Sequence, residues 1–554
     1  MAYKLLGKKV RGRFGFGSGE IATNSDTARY LLNLIPQLGW FVGKSTTIEP
    51  TLGHPEDIIT QPTNETGWNA VGYTNPGLEE TVESFRELIR SAPKGVFLMP
   101  QVGESNEERF EYCAKEFDKI PVDGIELNLS CGHAKKGGIL IGSDPNIVFS
   151  IVKAARKGTK KPLIVKLNAA VPKLEEIAKA AVKAGANAIS AINTLPGPNP
   201  EISNQFGGLS GSQLFPVTYE TVHNLRKHIK APMIVMGGIS EAEDIRRLDE
   251  IDPDFFYGIG TALAEMSSFE LQAFFAQIER DLKDNTNEAR FMVDGKQSLQ
   301  YQPFIVKDVV ELSEDLRLIR FYENIIASAG QFVFLKAGNR HAKPFSVADD
   351  EDGLELVVRK VGEATSKIFE LKKNNVVRIR GPYGLSFQLP DEKTVIYVGA
   401  GCGIAPVHHA AKHHEGKRIF IVGAKTAKEL VYLDELRKMG EVHFSTDDGS
   451  AGYHGLVTNL LFDYLRDNNP KNAHFFNCGP EIVMKKADLM ESQYASSDEI
   501  YHLVERMTSC GIGICGKCST PEGRRICVDG PVFTAEEFSP GKYKRDKTGK
   551  KVKI

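Results

Sequence analysis

The chain has 554 residues, 41% of them hydrophobic and 25% charged, with 52 glycines and a net charge of −2. That length implies several domains, the apolar share is that of folded protein, and the near-neutral charge excludes a strongly basic nucleic-acid binder. No uncharged apolar run reaches the roughly 18 residues of a membrane-spanning helix, and the basic N-terminus lacks a signal peptide's apolar stretch, so a cytoplasmic protein without membrane contact is expected.

From residue 1 to 285, strand-like runs (GWFVGKSTT, GVFLMPQV, GIELNLS, PLIVKLN, AISAINT, PMIVMGG, FFYGIG) alternate with helical stretches. One such stretch, 172–184, is expected to place Ile177, Ala181 and Val182 on one face. Repeated strand-then-helix predicts parallel βα units, and seven or eight of them predict a TIM (β/α)8 barrel. Polar or small residues at the strand ends (Lys44, Asn128, Lys166, Asn193, Gly237-Gly238, Gly260-Thr261) then face the C-terminal rim, where such barrels do their chemistry. Residues 286–300 read as a linker. Short β-rich runs over 301–390 predict a small antiparallel barrel. From 391 to 500 the βα alternation returns, as in a nucleotide-binding α/β domain. Residues 501–540 carry a cysteine-rich segment, and the basic tail, 541–554, is expected to be loose.

Of eight cysteines, Cys510, Cys515, Cys518 and Cys527 crowd into that segment. A C-x4-C-x2-C run with one later cysteine is the plant-type ferredoxin spacing. Two bridged irons need four converging thiolates, and the intervening glycines let backbone amides fold round the sulfurs. A zinc site prefers paired C-x2–4-C knuckles, and only one such pair exists here. Upstream stand Lys343-Pro344-Phe345-Ser346, then Arg380-Gly381-Pro382-Tyr383-Gly384, then Gly399-Ala400-Gly401-Cys402-Gly403 after a strand, then Cys478-Gly479-Pro480. A Gly-rich turn between strand and helix lets a pyrophosphate approach the backbone, although tight packing alone explains many such turns.

This ordered set resembles the ferredoxin–NADP reductase family, and with the cysteines residues 301–535 resemble the electron-transfer subunit of class 1B, NAD-dependent dihydroorotate dehydrogenases. The resemblance implies FAD on Lys343, Pro344, Phe345 and Ser346, with Gly381 and Gly384 beside it. It implies NAD facing Gly399, Gly401, Gly403, Cys478 and Gly479, and a 2Fe–2S cluster on the four cysteines. The family's arginine is Lys343 here, and a lysine offers phosphate a point charge instead of a fork, which leaves FAD held more loosely or by Arg340.

Residues 11–285 resemble the catalytic subunit of the same enzymes through Ser18-Gly19, Gly43–Thr47, Asn69–Gly77, Glu126–Cys131, Val165-Lys166-Leu167, Ile192-Asn193-Thr194, Gly207–Gly211, Met236-Gly237-Gly238 and Gly260-Thr261. The chain then reads as a fusion of two usual subunits. For FMN the resemblance implies Ser18, Lys44, Ser45, Asn128, Lys166, Gly208, Gly237, Gly238, Gly260 and Thr261. For the dihydropyrimidine substrate it implies Lys44, Asn69, Gly72, Tyr73, Asn128, His133, Asn193 and Thr194, and it makes Cys131 the catalytic base. A thiol can serve so only if its pKa falls toward working pH; without its flanking pattern a lone cysteine after a strand is a small buried hydrophobe. The family also implies a homodimer through the barrel.

One departure matters. The family reads Cys-Pro-Asn where this chain reads Cys131-Gly132-His133, and dihydropyrimidine dehydrogenases for uracil and thymine look like Cys-Pro-His there. The glycine loosens a loop that proline would stiffen. The expected function is NAD-linked oxidation of dihydroorotate to orotate in pyrimidine biosynthesis. An NAD(P)-dependent uracil-type dehydrogenase and an NAD(P)H-driven flavin reductase on the same scaffold remain as alternatives.

Overall fold

The computed structural model describes residues 3–55, 58–63, 66–130, 139–202, 205–293, 299–338 and 342–553. Eight strands form the first unit: β1 (Phe14–Phe16), β2 (Trp40–Thr46), β3 (Phe97–Val102), β4 (Ile125–Asn128), β5 (Leu163–Lys166), β6 (Ala188–Ala191), β7 (Met233–Met236) and β8 (Phe256–Ile259). All neighbours are parallel, in the order β1-β8-β7-β6-β5-β4-β3-β2. A bridge between Phe14 and Leu38, with Gly39 N donating to Phe14 O at 2.9 Å, brings β1 and β2 together and nearly closes a TIM-like barrel. The strands are short and buried on both faces, as a parallel sheet clothed in helices requires. Trp40, Phe97, Met99, Ile164, Ile234 and Met236 fill the interior, and Leu5 and Val10 from an N-terminal hairpin plug one end.

Helices α1 (Ser25–Leu34) and α2 (Leu78–Ser91) flank β2 in sequence. In the helix Leu174–Ala184 the buried face is Leu174, Ile177, Ala178, Ala181 and Ala184. Val182, expected on that face, is half-buried, because five residues after Ile177 a helix has turned well past the stripe. Over the rim lies an antiparallel sheet of Leu195–Pro198, Phe206–Ser210, Thr66–Asn69 and Ile59–Thr63. Within 286–300, the turn Glu288–Met292 packs on the barrel: Ala289 is buried and donates its N–H to Asp281 Oδ2 at 2.8 Å.

Six antiparallel strands follow, in the order Lys343–Ser346, Phe332–Lys336, Val376–Tyr383, Gln302–Ser313, Leu316–Phe321, Glu355–Arg359. The next sheet is parallel through Thr394–Ala400, Arg418–Ala424, Glu441–Thr446, Ala473–Cys478 and Ile500–Leu503. Its last strand, Val532–Thr534, comes from beyond the cysteines and pairs antiparallel with Ile500–Leu503. The cysteine segment is thus an excursion between two strands of the nucleotide-type sheet.

The tail departs from expectation. Lys544–Arg545 pairs with Lys551–Val552 in a hairpin, and Arg545 forms a buried ion pair with Asp26. A buried carboxylate needs such a partner, and the tail's basic charge supplies it. Among the described residues no helix is long and apolar enough to cross a membrane.

Candidate active site

Parallel strands in a ring put all their C-terminal ends on one edge. Lys44 of β2, Asn128 of β4 and Lys166 of β5 therefore meet Asn193, Thr194, Gly237, Gly238, Gly260 and Thr261 from the turns after β6, β7 and β8. With Ser18, Ser45, Asn69, Gly72 and Tyr73 they line one pocket with about 1120 Å³ of empty space, its open mouth included. Gly208 stands behind this wall, where a Cβ would come within 2.0 Å of Thr194 Oγ1, while its carbonyl accepts from Asn69 Nδ2 at 3.4 Å. Cys131 and His133 lie outside the described residues.

The polar side chains here orient one another. Asn128 donates from Nδ2 to Ser45 Oγ at 2.9 Å and accepts at Oδ1 from Ser130 Oγ at 2.9 Å. Ser45 donates in turn to Gln101, Gln101 to Glu126, and Ser190 Oγ reaches Glu126 Oε1 at 2.6 Å. Asn193 Nδ2 donates to Ser130 Oγ at 2.9 Å, and Lys166 Nζ to Ser18 Oγ at 2.8 Å. Burial pushes the Lys44 ammonium down to about 8, with the neighbouring Cys515 acting in the opposite direction.

Among the pocket residues not singled out from sequence are the polar Gln101 and Glu20. Gln101 lies one residue before the end of β3, near the rim that Asn128 reaches at the end of β4, so a strand-end rule applied with that tolerance would have found it. Glu20 follows the Gly17-Ser18-Gly19 turn instead of a strand, and a Cβ on Gly260 would come within 1.8 Å of its Oε2. Burial raises the Glu20 carboxyl, while Lys166 across the pocket lowers it. Two lysines, backbone amides at glycine turns and paired amide side chains suit the phosphate and imide edge of FMN.

The four cysteines are buried together. Gly513 N donates to Cys527 Sγ at 3.2 Å, Cys515 N to Cys510 Sγ at 3.5 Å, and the Cys518 and Cys527 sulfurs are 3.5 Å apart. Hydrogen bonds from the Cys515 and Cys527 thiols hold Cys510 well below the usual thiol range. The sulfur contacts run in a chain from Cys515 through Cys510 and Cys527 to Cys518, with backbone amides as donors, and four thiols converging in this way suit a 2Fe–2S cluster. This loop lies on the barrel: a Cβ on Gly516 would come within 1.7 Å of Thr23 Oγ1, and Glu265 N donates to Ile512 O at 2.9 Å. Buried Arg380 supports it from the other side, donating to Cys510 O at 3.0 Å and Ser509 O at 3.2 Å.

A second, wider cleft has Lys343, Pro344, Phe345 and Ser346 on one wall and Gly401, Gly403, Cys478 and Gly479 on the other, with about 2660 Å³ of empty space including its open side. The two turns of the second wall touch, since a Cβ on Gly403 would come within 2.3 Å of Cys478 O. Burial keeps the Cys478 thiol neutral by pushing its pKa well up. Arg359, not singled out from sequence, stands in this cleft, bonded to Asp315 at 2.6 Å and Glu429 at 3.0 Å. Three of the expected glycines are not at its wall. Gly399 packs against Ile404 and Val422, Gly381 against Val333 and Gly384 against Pro531, so each position leaves little room for a side chain. Arg340 lies outside the described residues. The cationic Lys343 and Arg359 and the bare backbone turns suit a flavin dinucleotide and a second dinucleotide.

A family model described as dihydroorotate dehydrogenase matches residues 1–278 of the 554. The chain belongs to the dihydroorotate dehydrogenase family. Models for an oxidoreductase FAD-binding domain and for the iron–sulfur cluster binding domain of dihydroorotate dehydrogenase B match residues 303–388 and 505–539. A probable electron transfer subunit of dihydroorotate dehydrogenase B (NAD(+)) from Methanocaldococcus jannaschii is 35% identical over 255 residues, covering 45% of this chain and 96% of that one. Catalytic subunits of dihydroorotate dehydrogenase B (NAD(+)) from Oceanobacillus iheyensis and Bacillus thuringiensis are 35% and 36% identical, covering 42% and 46% of this chain and 76% and 78% of their own. Both kinds of dihydroorotate dehydrogenase subunit thus find their likeness in one polypeptide.

Proposed function

We propose that this chain oxidises dihydroorotate to orotate and reduces NAD+, in the balance dihydroorotate + NAD+ → orotate + NADH + H+. The observation that carries the reading is the place of the cysteine loop. Ile514 forms part of the barrel pocket's wall, and Thr508 and Ile526 form part of the wall of the second cleft. One buried loop therefore separates a pocket suited to one flavin from a cleft suited to another and a dinucleotide. When bound, FMN would supply hydride acceptance, the cluster one-electron relay and FAD hydride donation to NAD+.

The chain's own residues bind and orient. Lys44 and the backbone amides of Gly72 and Tyr73 take the substrate carboxylate. Asn69, Asn128 and Asn193 present donor and acceptor together to a cyclic imide, and Thr194 adds a hydroxyl. The bonds from Ser130 and to Ser45 leave Asn128 one amide orientation, so that it meets the ring without reorganising. Ser18, Ser45, Lys166 and the turns at Gly237-Gly238 and Gly260-Thr261 hold FMN. Cys131 takes the proton from substrate C5. Asp447 lines the second cleft at the end of strand Glu441–Thr446, where a carboxylate repels a 2′-phosphate and favours NAD over NADP. A homodimer through the barrel belongs to the same proposal and is read from sedimentation of the holoenzyme.

The sequence Cys131-Gly132-His133 favours a second reading, a uracil-type dihydropyrimidine substrate. Anaerobic bleaching of the flavin absorbance decides between them. Dihydroorotate alone is expected to bleach it rapidly. Bleaching by dihydrouracil alone moves the chain to the second reading, and bleaching by NADH alone overturns the substrate assignment of the barrel.

A further inference from the structure

We propose that the C-terminal hairpin is a clasp whose Arg545–Asp26 ion pair positions the cysteine loop on the barrel mouth, and so governs electron passage between the two halves. The inference rests on the functional reading above.

The first turn of α1 is where the cysteine loop docks. Ile21 N donates to Ile514 O at 2.8 Å. Asn24 caps the helix, its Oδ1 accepting from Asp26 N and Thr27 N at 3.1 Å, while its Nδ2 donates to Ser519 Oγ at 3.1 Å and Gly516 O at 3.3 Å. Thr27 Oγ1 reaches Ser519 Oγ at 2.8 Å. Further along, a Cβ on Gly523 would come within 2.4 Å of Asp26 O, so loop and helix backbone are in direct contact.

The tail grips the same turn. Asp26 is 1% exposed and Arg545 5%, and the two side chains are paired across nearly the whole length of the chain. Arg545 Nη1 also donates to Gly549 O at 2.8 Å, which braces its own hairpin. Lys551 Nζ bonds Glu87 Oε2 of α2 at 2.6 Å and lies 4.0 Å from Asp26 Oδ1. The hairpin therefore ties together the two helices that bracket β2, the strand carrying Lys44. It also closes a seam cavity whose other walls include Cys515, Lys517 and Lys44.

Removing Arg545 leaves the Asp26 carboxylate buried without its strongest partner, which a protein relieves by shifting or hydrating that turn. The loop, anchored there through Asn24 and Thr27, shifts with it. Arg545 itself lines neither flavin pocket, and among the described residues of its hairpin Lys544 alone lines the second cleft, so replacing Arg545 leaves both linings in place and alters the passage between them.

The test is rapid mixing of the full-length holoenzyme Arg545→Ala with dihydroorotate, without oxygen. The fast flavin bleaching, flavin and iron contents, and NADH–ferricyanide activity are expected to match the unaltered protein. The later phase of cluster reduction, and NADH formation from dihydroorotate, are expected to fall on the order of tenfold to a hundredfold, as small misplacements do. Arg545→Lys should restore most of the loss. Equal rates in all phases would overturn the clasp, and so would a parallel fall of every rate together with cofactor content. Where Arg545→Ala does not fold, Asp26→Asn, which keeps shape and removes the charge, gives the same split. Should dihydroorotate fail to bleach the unaltered protein, the functional reading has failed instead, and the clasp is then read from NADH, with the same phases in reverse order.

Discussion

At the barrel mouth, Asn128 is held by Ser45 and Ser130, Asn193 by Ser130, and Ser45 by a chain through Gln101 to Glu126. In the second cleft the wall opposite Lys343 is made of backbone turns, Gly401–Gly403 against Cys478-Gly479, and the empty space is about 2660 Å³ against 1120 Å³ at the mouth. A side-chain network fixes donors and acceptors in advance, which suits discrimination among small rings. Backbone turns offer close approach and partial positive charge to phosphates, which suits long cofactors whose middles are alike. Between the two lies the cysteine loop, whose four thiols have no such choice to make: they must converge.

The largest separation of the two regions is expected from Cys518→Ala. NADH formation from dihydroorotate should fall to background, while dihydroorotate still bleaches the barrel flavin; loss of both would mean that the cluster loop is needed to build the first pocket. Asn128→Ala should slow that bleaching on the order of a hundredfold, about 2.7 kcal/mol, and leave NADH–ferricyanide activity alone. Equal loss of both activities would show that the sites are not independent. Gly403→Ala attacks the other side: its Cβ would force the Cys478 carbonyl away, and the KM for NADH should rise on the order of tenfold, about 1.4 kcal/mol, with the barrel's bleaching unchanged.

The last effect concerns the strand behind the cleft. Asn477, next to Cys478, donates to the buried Glu491 at 2.7 Å. Burial, reinforced by Asp488, pushes the Glu491 carboxyl up to about 8 from an ordinary 4.5. Between those values the folded chain keeps a proton that the unfolded chain has released, so stability falls as pH rises through that interval and levels off above it. Glu491→Gln removes this dependence. Its melting temperature should gain on that of the unaltered protein by a margin that grows from pH 5 to pH 8, by about 3 kcal/mol across that range. A constant margin across that range would count against the assignment.

Much of the architecture was legible in local pattern. Short apolar runs ending in Lys44, Asn128 and Lys166 marked parallel strands and their rim, because in a strand buried on both faces polar side chains gather where the chain emerges, and those farther in, such as Glu126, need partners of their own. The cysteine spacing and the glycine turns were legible for the same reason, since each is a constraint among neighbours in sequence. What escaped was set by distant partners. Val182 packs at the margin of the helix's buried stripe and is only half-buried. At Gly399, Gly381 and Gly384 the neighbours that press close, Ile404, Val333 and Pro531, could not be read from the local sequence. Glu20 and Arg359 gave no signal, since only their neighbours across the pockets give them a role.

By itself the sequence determined the order of parts: a βα barrel, a small antiparallel barrel, a nucleotide-type sheet and a four-thiolate segment, each recognisable because short-range periodicity and spacing dictate secondary structure and ligand sets. Tertiary structure alone decided that the strand after the cysteines rejoins the nucleotide-type sheet. It alone decided that the cysteine loop walls both pockets, and that a tail of basic residues folds back 519 positions to bury its arginine on Asp26. The reason is physical. Periodicity is a property of one segment, whereas burial of a charge, closure of a cavity and the partner of a carboxylate depend on which surfaces meet, and those surfaces come from residues hundreds of positions apart.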